Sequence, residues 1–98
     1  MSNYGRFIEP RRRGVLLAIL HQSGVQGASV PVLASVAHQA GYTASREVIE
    51  ADLVAMSDLG LVIVRTVGTI KLATIEQRGV DVATGQTHVP SIERADEL

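Results

Sequence analysis

The chain has 98 residues, a net charge of −1 and no cysteine. That length fits one domain and excludes two, and the missing thiols exclude disulfides, thiolate metal sites and cysteine nucleophiles. Apolar residues make up 46%, enough for one ordinary core, whereas aromatics at 3% exclude the stacking platforms that hold single-stranded nucleic acid.

Charge is unevenly spread. Residues 1–13 hold four Arg and one Glu, and 14–44 hold no Asp, Glu, Lys or Arg. Residues 45–60 are net −3, with Arg46 set against Glu47, Glu50, Asp52 and Asp58. A thinner basic share follows at Arg65, Lys71 and Arg78.

Residues 1–9 read as a flexible lead-in. Pro10 suits the first turn of a helix, where its missing N–H costs nothing. Val15, Leu16, Ile19 and Leu20 then recur at helical spacing, which predicts a first helix over 10–22. The run Arg11-Arg12-Arg13 opens it. Three cations in a first turn oppose the helix dipole, so the run reads either as a phosphate contact or as a solvated helix start. Ser29 is a good N-cap, Pro31 falls in the first turn, and Gly41 closes a second, short helix.

Thr43 or Ser45 caps a third helix that Gly60 stops. Ile49, Leu53 and Met56 form its core stripe, while Glu47, Glu50, Val54 and Ser57 face outward. The β-branched run 61–67, a Val67-Gly68-Thr69 tip and the stretch from 69 to 75 predict a hairpin. Thr74, with Gln77 three residues on, has the spacing of a capping box for a fourth helix. Gly79 within that helix implies close packing or fraying, and Gly85 ends it. Residues 86–98 read as an extended tail broken at Pro90. The expected core includes Leu16, Ile19, Leu33, Val36, Ile49, Leu53 and Leu72.

Three helices, a hairpin and a closing helix define the expected fold: α+β, mostly α, a winged helix-turn-helix over 10–85 with a two-stranded β wing and a C-terminal helix. "MSDLGLVIV", a short glycine wing and "LATIEQRGVDVA" resemble ArsR- and MarR-type regulators. "ASREV", "GLV", "RGVDVATG" and "HVPSIER", in this order, resemble more closely a family of small winged-helix proteins of Mu-like phages, over residues 10–94. The resemblance implies a DNA-binding fold and a phage setting, hence the bacterial host cytoplasm. No signal-peptide pattern or membrane-length apolar run opposes that location.

Two functional readings follow. In the first, a transcription-regulator-like protein binds double-stranded DNA through Arg11, Arg12, Arg13, Arg46, Arg65 and Lys71. The acids of the third helix oppose it, because phosphates call for Lys or Arg. In the second, an adaptor binds a basic phage or host protein through Glu47, Glu50 and Val54. A homodimer is expected through Val15, Val89 and Ile92. His21, His38 and His88 lack converging partners, so no metal is expected. Glu47 and Glu50 share a face without a pocket or nucleophile, so neither enzymatic activity nor a cofactor is expected.

Overall fold

The computed structural model describes residues 4–95, the side chains of 4–6 excepted. Residues 1–3 of the expected lead-in and 96–98 of the expected tail lie outside the described residues. The elements are α1 (Tyr4–Ser23), a 3-10 turn (Gly24–Gln26), β1 (Ala28–Ser29), α2 (Val30–Gln39), α3 (Arg46–Asp58), β2 (Val62–Val67), β3 (Ile70–Ile75) and α4 (Gln77–Ala83). The strands form one antiparallel sheet in the order β1-β3-β2, so the protein is a small, mostly helical α+β fold.

α1 is the central element. Val15, Leu16, Leu17, Ile19 and Leu20 are all buried, more than one stripe can hold, because α1 packs against α2, α3, α4 and β3. It starts at Tyr4, within the stretch expected to be flexible, which leaves Pro10 inside the helix rather than in its first turn.

Local chemistry fixes α2 and α3. Ser29 Oγ accepts from Val32 N at 3.4 Å, and Ser45 Oγ accepts from Val48 N at 3.2 Å. Each satisfies an orphan N–H of a first turn, a contribution of about 1 kcal/mol. Ser45, not Thr43, therefore caps α3, and Ile49, Leu53 and Met56 are buried as their spacing predicts.

β2 and β3 pair from Val62↔Ile75 to Val67↔Ile70 around a two-residue turn at Gly68 and Thr69. β1 adds only Ala28↔Ala73 and Ser29↔Leu72. This register puts Ala73 in the core and leaves Leu72 half-buried on the opposite face, against expectation; Val36 is also half-buried. Thr74 lies in β3 opposite Ile63, so it cannot cap α4. Glu76 takes the N-cap position without a side-chain cap bond. Its N–H donates instead to Leu61 O at 2.9 Å. Gly79 packs so closely there that a Cβ would stand 2.2 Å from Leu61 O. Close packing, not fraying, explains that glycine.

The segment after Gly85 is part of the core. Val89 and Ile92 are buried, as is Val15. The three residues expected to pair two copies thus pack within one chain, which leaves them little surface of their own. The tail backbone crosses α1 at Gly14, where a Cβ would stand 1.7 Å from Glu93 O. Glu93 N–H donates to Pro10 O at 3.0 Å, and Arg94 Nε donates to Ala83 O at 3.2 Å.

Candidate interaction surfaces

Two members of the arginine run, Arg12 and Arg13, clamp α1 to Asp52 of α3. Arg12 forms a two-pronged pair with Asp52, through Nε to Oδ2 and through Nη2 to Oδ1 at 2.9 Å. Arg13 Nε donates to the same Oδ1 at 3.0 Å, and its Nη2 lies 3.2 Å from Glu9. Asp52 is 1% exposed. A carboxylate so buried requires paired, hydrogen-bonded cations, and α1 supplies two. The hydrogen bonds that Arg12 donates to Asp52 hold its pKa above the ordinary value, although burial pulls it down. Arg11 points outward and pairs with Glu93 of the tail at 2.9 Å.

Asp52 leaves only a slight trace in the sequence. It sits between Ile49, Leu53 and Met56 on the buried stripe of α3, where water cannot solvate its charge. Charge counted by segment hides that signal, because the partners lie 39 and 40 residues away.

Lys71, expected at DNA, pairs with Glu50, expected at a protein partner, at 3.2 Å. Both are part-exposed, so water competes with the pair, which is held only weakly. Arg46 and Arg65 are exposed and form no ion pair among the described residues. Arg46 opens α3 and lines a small cleft with Pro31, Thr69 and Lys71.

Among the described residues, two exposed surfaces combine apolar and charged side chains, on α3 and on the hairpin. On α3, Glu47, Ala51, Val54 and Asp58 are all exposed and recur at i, i+4, i+7 and i+11, which aligns them in one narrow stripe. It is apolar in the middle and acidic at both ends. On the sheet, Ile63, Arg65 and Val67 stand opposite Thr74, Leu72 and Ile70, facing away from the core. Ile63, Val67 and Ile70 are 44%, 57% and 48% exposed. A shallow groove joins Ile63 and Arg65 to Val25.

His38 Nδ1 is hydrogen-bonded to Thr43 Oγ1 at 2.8 Å, and His21 and His88 are exposed. Among the described residues no three His, Asp or Glu converge as metal ligands, and no helix is long and apolar enough to cross a membrane. No family model, curated protein or solved structure matches the chain.

Proposed function

We propose that the chain is a winged-helix adaptor without enzymatic activity or cofactor. In this reading the outer stripe of α3 docks a protein with a basic, apolar surface, in the bacterial cytoplasm. The order α1-β1-α2-α3-β2-β3, with a tight hairpin after α3, supports the winged-helix assignment, the hairpin being the wing and α2–α3 the helix-turn-helix. One observation carries the function. Four of the six candidate DNA-contacting cations (Arg11, Arg12, Arg13 and Lys71) are held in intramolecular ion pairs, while Glu47, Val54 and Asp58 stay exposed on the helix that would have to enter a groove. Duplex binding depends on neutralising phosphates, and that helix presents the opposite sign.

A second reading, a DNA-binding regulator, is favoured by Arg46 and Arg65, which are exposed and unpaired among the described residues on α3 and the hairpin. Fluorescence anisotropy on a random duplex across a salt series separates the two. The adaptor shows negligible binding even at low salt. Tight, salt-sensitive binding that weakens when Arg46 and Arg65 are both replaced by Ala establishes the regulator instead.

A further inference from the structure

The outward face of the β2–β3 hairpin has the complementary character to the α3 stripe. Ile63, Val67 and Ile70 expose apolar surface, and Leu72 adds a half-buried portion. Arg65 stands in their midst, and none of the six residues on that face is acidic. Exposed apolar clusters of this kind on small proteins mark contact sites. A lone cation in their centre selects a partner that presents a carboxylate beside apolar groups. The α3 stripe is such a surface: Ala51 and Val54 between Glu47 and Asp58.

The dimensions agree. Six-residue strands run about 20 Å, and the stripe from residue 47 to residue 58 runs about 16 Å along the helix. One molecule cannot join the two surfaces itself, since α3 packs against β2 from the core side while Arg65 and its neighbours face away from the core. The contact has to be made between copies.

We propose that the α3 stripe of one copy docks on the outer face of the β2–β3 hairpin of a second copy, with Arg65 meeting a carboxylate from the end of the stripe. This rests on reading α3 as a protein-docking face and names its partner. Because the contact joins two different surfaces it is head-to-tail, and it propagates unless two copies exchange both faces. Its ion pair is formed by side chains that are solvated in the free protein, and screening lowers their attraction, so added salt weakens the association. A single helix on a hairpin also buries the modest area of transient contacts, so association appears at high micromolar concentration.

Sedimentation equilibrium of the full chain, from low to high micromolar and at two salt concentrations, tests this. The parent's average mass rises above 10.4 kDa with concentration, and rises less at high salt. Arg65→Glu alone stays monomeric, as does Glu47→Arg with Asp58→Arg. An equimolar mixture of the two variants recovers the parent's behaviour, because every face again meets its opposite. A parent that stays monomeric throughout overturns the proposal, and the hairpin face then serves a different partner. A mixture that fails to recover association, from variants whose circular dichroism matches the parent, overturns it equally. Either result leaves the adaptor reading standing; that reading falls only to salt-sensitive duplex binding in the anisotropy series.

Discussion

The seam between α1, Asp52 and the tail, and the surface formed by α3 and the hairpin, use the same residue types to different ends. In the seam, Arg12, Arg13 and Asp52 are shielded from water and satisfy one another, and Arg11 pins the tail. On the outer surface Arg46, Arg65, Glu47 and Asp58 are solvated and, among the described residues, unpaired. An arginine run therefore says little about a polyanionic partner until its burial is known. Inside, charge fixes how two helices meet; outside, it is available for recognition.

The sharpest way to break this contrast is to remove the inner carboxylate. Asp52→Ala leaves the largely buried Arg12 without its partner and Arg13 with Glu9 alone, and should lower stability by about 3–5 kcal/mol in urea unfolding. A loss under 1 kcal/mol would mean that water reaches the seam and that the two regions do not differ. A refinement replaces the whole cluster: Arg12→Met, Arg13→Leu and Asp52→Leu together should come within about 2 kcal/mol of the parent, or exceed it, since a packed apolar substitute avoids desolvating ions. Stability restored in that variant would assign the triad to alignment of α1 with α3 rather than to net stabilisation.

Gly14→Ala comes next. The new methyl group collides with Glu93 O, which is backbone and cannot swing aside. The expected loss is about 1–3 kcal/mol, accompanied by faster hydrogen exchange at the Glu93 amide. Unchanged exchange there would show that the tail crosses α1 elsewhere.

On the outer surface the effects shrink. A double-mutant cycle on Glu50 and Lys71, both part-exposed, should return a coupling of about 0–1 kcal/mol. Smallest of all, Arg65→Glu should leave the thermal midpoint nearly unchanged, with less than about 0.5 kcal/mol lost. A large destabilisation at Arg65 would place it in the fold and remove it from recognition.

What the sequence disclosed follows the same division. The boundaries of α2, α3 and the hairpin were readable because Ser29, Ser45, Gly60 and Gly68 act on their immediate neighbours. The burial of Ile49, Leu53 and Met56 was readable from spacing alone. β1 was not, since two residues become a strand only by pairing with Ala73 and Leu72. The capping-box spacing at Thr74 misled for a related reason: β3 extends to Ile75 because β2 supplies a partner at Val62. The clamp on Asp52 and the docking of Val89 and Ile92 escaped notice because both join distant parts of the chain. Their local traces are slight: an acid on an apolar stripe and a glycine within a helix. Of the six candidate DNA-contacting cations, Arg46 and Arg65 alone are exposed without an ion pair among the described residues, and that depends wholly on tertiary pairing.

The crossing of the tail over Gly14 bears on when this protein can fold. Arg11 and Glu93 are 82 positions apart, and Val89 and Ile92 complete the packing around α1. At ordinary synthesis rates residues 1–93 take about 5–20 s to make. Over that interval α1 lacks the cover that Val89 and Ile92 give the core of the finished fold. A nascent chain stalled before residue 89 should accordingly remain protease-sensitive within α1, and the released 98-residue chain should not.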